Sequence, residues 1–126
     1  MSDLSLSFGI KTYVSQQTLI VPFQNDFYSD MIEALNIEVA YKLHHTPGLK
    51  GLIVDVSQIT LIDLENMMVL EDILKLGNIF GVVSYLTGLQ PQLTQALIEL
   101  GYEPGDFKTA PTIENAIKSV QENRDW

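Results

Sequence analysis

The stretch that decides the fold is residues 51–88, GLIVDVSQITLIDLENMMVLEDILKLGNIFGVVSYLTG. It begins with GLIVDV (51–56), a β-branched, mostly apolar run typical of a strand buried on both faces. It ends with a second run of this kind, GVVSYLTG (81–88). Between the two runs, apolar residues recur at helical spacing over about 63–79, and Asp63 is the expected N-cap. This order predicts a parallel strand-helix-strand crossover.

The flanking sequence continues the alternation of strands and helices. GIKTYVSQQTLIVPF (9–23) predicts two short strands around a tight turn at residues 15–17. FYSDMIEALNIEVAYKLHHT (27–46) predicts a helix that Pro47-Gly48 ends, and its apolar positions are Met31, Ile32, Leu35, Val39, Tyr41 and Leu43.

The carboxyl-terminal part adds two more helices. QPQLTQALIELG (90–101) has Pro91 in its first turn and Gly101 at its C-cap. A short strand is predicted near residues 106–109, and Pro111 then opens a helix carrying Ile113, Ala116, Ile117 and Val120. We therefore predict a single α/β domain over residues 1–126, with a mixed sheet of four to five strands covered by about four helices.

Composition narrows the classes of partner. The chain has 126 residues, 46% of them hydrophobic, so a core can form without disulfide or metal staples. Its formal net charge is −9 with seven Lys and Arg, which argues against nucleic acid and anionic membranes as partners. It has no Cys, no signal-peptide pattern at its N-terminus and no run of about 20 apolar residues. We expect a cytoplasmic protein whose partners are proteins or small molecules.

Residue patterns that carry catalysis or metal binding are missing from the sequence. His44 and His45 are adjacent, whereas two metal ligands on one helix face need a spacing of four residues, so we interpret them as solvated residues at a helix end. The carboxylates of Glu65, Glu71 and Asp72 are interpreted as a solvated helix face. No phosphate-binding loop or nucleophile elbow occurs. We expect no enzymatic activity, no metal and no cofactor.

Asp55 ends a predicted central strand, where ligands collect in doubly wound folds. A phospho-acceptor aspartate at this place is a feature of response-regulator receivers. That family also needs an acidic pair after its first strand and a lysine after its last strand. Here VPFQND has the single Asp26, and the lysine of DFKTAP has the wrong surroundings, so the receiver interpretation is rejected.

The helix over 63–79 has more apolar residues than a core stripe needs. Met67, Leu70, Ile73 and Leu74 share one arc with Gly77, while Glu65, Asp72 and Lys75 lie opposite. Interleaved with these charges are Leu64, Met68, Leu76 and Ile79, and a contiguous patch of this kind often marks an interaction site. The alternative is that another element of the same chain covers this face.

The order of motifs over residues 51–102 resembles the STAS domain of anti-sigma-factor antagonists. The shared pattern is an apolar strand ending in DVS, an Asp at a helix start, a second strand, and GLQP before another helix. The segments TLIVPFQNDFYSD, ALIELGY and FKTAPTIENAI are similar to the small single-domain antagonists of the stressosome, the RsbS-like proteins. The resemblance covers nearly the whole chain.

This resemblance implies a non-enzymatic protein-interaction module, an anti-sigma-factor antagonist or a stressosome-type scaffold subunit. It implies a serine/threonine switch kinase and sensor STAS proteins as partners, in a homo- or hetero-oligomer. In the family, the phosphorylated Ser or Thr follows the Asp at the helix start. That Asp matches Asp63, so Leu64 stands at the acceptor position and phosphate cannot be added there.

The expected contact surface includes both the helix start and the loop after the second buried strand. Ser57 and Thr60 are possible alternative phospho-acceptors, although we interpret both as loop-capping hydroxyls. A second hypothesis is a STAS-type sensor of a nucleotide or lipid, with a site near Asp55, Ser57, Thr87 and Gly88. The residues of the expected contact surface are Ile62, Asp63, Leu64, Glu65, Met67, Met68, Gly88, Leu89 and Gln90.

Overall fold

The structure is a computed structural model that describes residues 11–23, 29–60, 62–103 and 107–122. Within them, five strands and four helices alternate as the sequence predicts. The strands are β1 (Tyr13–Ser15), β2 (Thr18–Pro22), β3 (Gly51–Asp55), β4 (Val83–Thr87) and β5 (Thr109–Ala110). The helices are α1 (Ser29–His45), α2 (Leu64–Ile79), α3 (Pro91–Glu99) and α4 (Ile113–Glu122). The predicted α/β class with a mixed sheet is confirmed. Residues 27, 28 and 106, which the sequence assigned to a helix and a strand, lie outside the described residues.

The sheet has the strand order β1-β2-β3-β4-β5. β1 pairs with β2 antiparallel, and every later pair is parallel. The predicted tight turn joins β1 to β2, and both of its central residues, Gln16 and Gln17, have positive φ angles of 49° and 63°. Two positive φ angles match the right-handed twist of a two-residue hairpin. The parallel register sets Asp55 of β3 beside Thr87 of β4.

Each face of the sheet has its own core. The larger core contains Leu19, Leu52, Leu86 and other sheet residues, packed against the apolar sides of α1, α2 and α3. The smaller core joins Ile20 and Ile53 to Ala116 and Ile117 of α4. Because β3 is buried on both faces, all five of its residues are buried, as the GLIVDV run predicts. Its carboxyl end is therefore held firmly at the edge where α2 begins.

One prediction about a helix face is wrong. Leu76, assigned to the outward face of α2, is half-buried and packs against the larger core, because that core extends further around the helix than the ideal arc. Among the apolar positions of α1, Tyr41 is 38% exposed and stacks on His45, with 4.1 Å between the ring centroids. Leu35, Val39 and Leu43 do face the core, while the side chains of Met31 and Ile32 lie outside the described residues.

α2 lies unusually close to β4. A Cβ atom on Gly77 would overlap the hydroxyl oxygen of Ser84, so no larger residue fits there without a shift. The Ser84 hydroxyl donates a hydrogen bond of 2.8 Å to the carbonyl oxygen of Leu74. These contacts fix the rotation of α2 about its axis, which decides the residues its first turn presents to solvent.

Candidate functional site

The start of α2 has a well-formed cap. Asp63 has extended backbone angles (φ −97°, ψ 172°), and its side chain accepts a hydrogen bond of 2.8 Å from the backbone N–H of Asn66. The backbone N–H of Met67 also donates to the Asp63 carbonyl oxygen, at 3.0 Å. Asp63 is thus the N-cap that the sequence predicts, and the helix begins at Leu64.

Leu64 and Met68 lie one turn apart on the same side of α2 and both face solvent. Leu64 is 49% exposed and Met68 is 53% exposed, so no described element of the chain covers them. Glu65 between them is also exposed. This is the arrangement that the outward-face pattern predicts, and it leaves apolar area beside acidic groups at the front of the helix.

Met67 requires a correction, because we expected it to belong to the contact surface. It is 1% exposed and lies in the larger core, since the helical turn that points Leu64 and Met68 outward points Met67 inward. Ile62 is half-buried and packs against the same core. The accessible apolar part of the surface at the start of α2 therefore consists mainly of Leu64 and Met68.

The loop at Gly88–Gln90 comes close to the loop after β3, as the adjacent strands predict. Gln90 donates a hydrogen bond of 2.5 Å from Nε2 to the carbonyl oxygen of Ser57. Gly88 has a φ angle of +77°, and a Cβ atom there would lie 2.7 Å from the Cβ atom of Ser57. Leu89 is half-buried against the larger core. The two predicted parts of the surface are joined through these loops.

Ser57, one of the two alternative phospho-acceptors, contacts a carboxylate. Its hydroxyl donates a hydrogen bond of 2.6 Å to Oδ2 of Asp55, and the Ser57 side chain is half-buried. Thr60 is exposed. A phosphate on Ser57 would place about two negative charges beside the Asp55 carboxylate. A phosphate on Thr60 would lie at an exposed position.

The strand ends proposed as a ligand site are occupied by their own side chains. Asp55 accepts hydrogen bonds from the hydroxyls of both Ser57 and Thr87. Over the described residues, no buried side-chain nitrogen or oxygen atom is without a partner. A cavity of about 400 Å³ lies elsewhere, between α2, β4 and the segment before β5, and its lining residues are Glu71, Leu74, Lys75, Asn78, Ser84, Phe107 and Lys108.

The remaining candidate groups are dispersed. The rings of His44 and His45 meet edge to face at 4.6 Å, and within the described residues no group of three or more His, Cys, Asp or Glu side chains could hold a metal ion. Glu71 accepts a hydrogen bond of 3.2 Å from the hydroxyl of Tyr102 and is therefore not part of a purely solvated face. In the described part of the chain, no helix is long and apolar enough to span a membrane.

Comparison with known proteins identifies the fold. No family model and no curated protein matches the chain. A serine-to-glutamate variant of RsbS from Moorella thermoacetica is 20% identical, with a TM-score of 0.77 over 89% of this chain and 94% of that chain. A stressosome structure, described as a signal integration and transduction hub, is 21% identical, with a TM-score of 0.76 over 90% and 100%. An anti-sigma-factor antagonist (STAS) domain protein from Planctomyces limnophilus is 11% identical, with a TM-score of 0.70 over 89% and 97%. The chain has the STAS fold.

Proposed function

We propose that this protein is a non-enzymatic interaction module, an anti-sigma-factor antagonist or a stressosome-type scaffold subunit. Its partners are a serine/threonine switch kinase, related STAS proteins, or both. The observation that carries the proposal is the exposure of Leu64 and Met68 on the first two turns of α2, at the position where the family it resembles carries its phospho-acceptor. The contact surface comprises Ile62–Glu65 and Met68 together with Gly88–Gln90, and Met67 is left out because it is buried.

The energetics favour a partner on this surface. Fully burying a Leu or Met side chain contributes about 1.5–3 kcal/mol, so covering the exposed half of each contributes about 1 kcal/mol. Methionine adapts its shape to different surfaces, which suits a contact site. Because Leu64 has no hydroxyl, the surface stays apolar and resembles the unphosphorylated state of the family permanently. The module binds its partner constitutively unless another residue takes over the switch.

The deciding experiment is capture of partners from a native cell extract with a tagged chain. The test variant is Leu64→Lys, which sets a charge in the centre of the surface. The matched control is Ile79→Lys on the last residue of the same helix, 74% exposed and about 22 Å further along the axis. We expect the unmodified chain and Ile79→Lys to recover a kinase or a STAS protein, and Leu64→Lys to recover neither.

Thermal unfolding of the three proteins controls for stability. A lysine in the first turn opposes the helix dipole by about 0.3–1 kcal/mol, too little to unfold the domain. Equal recovery by Leu64→Lys and by the unmodified chain would contradict the proposed surface.

A second candidate function, a sensor of a nucleotide or lipid, is favoured by the cavity of about 400 Å³, which is within the size range of ligand sites. Lys75 of α2 and Lys108 of the segment before β5 both line this cavity. A saturating ligand at about 100 times its Kd stabilises a fold by about 2.7 kcal/mol, so a thermal-shift screen of nucleotides and lipids tests this function. The stabilisation should disappear in Lys108→Ala, and a panel without any shift counts against a sensor.

A further inference from the structure

Asp55 is a buried carboxylate that the contact surface does not use directly. It is 7% exposed and stands at the last position of β3, between the two loops that contribute to the proposed surface. We name residues 56–60 the first loop and Gly88–Gln90 the second loop. A buried carboxylate is costly unless hydrogen bonds satisfy it, so its partners indicate its role.

The two carboxylate oxygens of Asp55 contact different elements. Oδ2 accepts a hydrogen bond of 2.6 Å from the hydroxyl of Ser57, in the first loop. Oδ1 accepts a hydrogen bond of 2.7 Å from the hydroxyl of Thr87, the residue directly before the second loop. One side chain therefore connects Ser57 to Thr87, a residue 32 positions after Asp55 itself in the sequence.

Further hydrogen bonds and close contacts join the two loops in addition to those made by the Asp55 side chain. From the second loop, Gln90 donates its side-chain hydrogen bond to the carbonyl oxygen of Ser57. Gly88, in the second loop, lies so close to Asp55 that a Cβ atom on it would be 3.0 Å from Oδ1 of Asp55. The backbone N–H of Val56 also donates to the carbonyl oxygen of Thr87, at 2.9 Å. Fully satisfied buried networks of this kind favour one conformation.

We propose that Asp55 is a positioning residue that holds the first and second loops in one arrangement, and thereby presents the contact surface ready for its partner. This inference rests on the proposed function for its purpose, but the connection between the loops is testable without any partner. A preformed surface loses less conformational entropy on binding, which raises affinity.

The first measurement is hydrogen exchange of the Ile59 amide, which donates to the carbonyl oxygen of Val56 within the first loop at 3.0 Å. Thr87→Val keeps the shape of the side chain and removes the hydroxyl that Oδ1 accepts from. We expect it to raise the Ile59 exchange rate about tenfold, the equivalent of one hydrogen bond, although Thr87 belongs to another strand. Ile53→Val is the control, since Ile53 is equally buried on β3 but faces the smaller core.

A double-mutant cycle tests whether Asp55 transmits the effect. In an Asp55→Ala background, we expect Thr87→Val to cause no further rise in Ile59 exchange, because the connecting carboxylate is already missing. Asp55→Asn, which retains one acceptor oxygen, should restore part of the protection. If Asp55→Ala does not fold, the proposal is tested by comparing the Ile59 exchange rates of Thr87→Val and of the Ile53→Val control. An unchanged Ile59 rate in Thr87→Val, or additive effects in the cycle, would overturn the proposal.

Capture from the cell extract then tests the purpose of the connection. We expect Thr87→Val to recover the partner several-fold less than the unmodified chain, with the fold intact by thermal unfolding. Undiminished recovery with a loosened first loop would overturn the positioning role. If the unmodified chain recovers no partner at all, the proposed function fails, and the exchange measurements still decide whether Asp55 holds the loops together.

Discussion

Leu64 exposes about half of its surface to solvent in the first turn of α2, and its neighbours Asp63 and Glu65 are exposed too. A polar residue would fold equally well there, and a Ser or Thr would supply the acceptor hydroxyl of the family that the sequence resembles. Leucine instead keeps this position apolar. Under the proposed function its effect is on binding, while the fold depends on the capping and core residues around it.

Ser57 and Thr60 differ in what a negative charge would do to them. Ser57→Asp sets a second carboxylate beside Asp55 and removes the hydroxyl that now donates to Oδ2 of Asp55. We expect the free energy of unfolding to fall by about 1–3 kcal/mol, measured by urea unfolding. Thr60 is exposed, so a charge there stays solvated, and we expect Thr60→Asp to lower the free energy of unfolding less than Ser57→Asp does. A stable Ser57→Asp protein would mean that the first loop tolerates phosphate.

At the scale of the element, α2 depends on its cap. Asp63→Ala removes the side-chain acceptor of the Asn66 N–H and should lower the free energy of unfolding by about 1 kcal/mol, or the melting temperature by a few degrees. Asp63→Asn should be close to neutral, because Asn caps a helix as well as Asp does. Calorimetry of both variants distinguishes the cap from the charge. If Asp63→Asn and Asp63→Ala lower the free energy of unfolding equally, the effect is due to the negative charge at the helix start instead.

The same helix marks how far the sequence predicts structure. Strands and helices were predictable because buried strands are continuous apolar runs and helices repeat every 3.6 residues. The cap was predictable because few residue types satisfy a free backbone N–H. Leu76 was assigned to the wrong face because an ideal helical arc does not include the extent of the core. Met67 is buried while Met68 is exposed, as the helical arc predicts, so including Met67 in the contact surface contradicted that arc.

The proximity of the residues at the strand ends was predictable from the sequence, whereas the hydrogen bonds among them were not. Asp55, Ser57, Thr87 and Gly88 were expected to lie together, since the ends of adjacent parallel strands meet at one edge of a sheet. The sequence suggested that they surround a ligand, whereas their hydrogen bonds join them to one another. Bonds between residues 32 positions apart leave no periodic signal. The only hints were a carboxylate at a buried strand end, a hydroxyl two residues later and a hydroxyl at the end of the next strand.

At the scale of the whole molecule, charge decides which partners can approach. The net charge is −9, and the proposed contact surface contains Asp63 and Glu65 but no Lys or Arg. Lys75, the basic residue of α2, lies about 10 Å beyond Met68 along the helix axis. A partner with basic groups around an apolar pocket would be attracted before contact, and one with an acidic face would be repelled.

This charge distribution predicts association that depends strongly on salt. Raising ionic strength from about 0.01 M to 1 M shortens the screening length from about 30 Å to 3 Å, so steering by the net charge is lost. Steering accelerates association by about 10- to 1,000-fold, and we expect the association rate constant of the captured partner to fall at least tenfold over this range. The dissociation rate should change little, because under the proposed function it depends on the burial of Leu64 and Met68. Surface plasmon resonance at several salt concentrations measures both constants, with Glu65→Gln as the variant that weakens the attraction. An association rate that salt does not change would mean that the partner recognises the apolar residues alone.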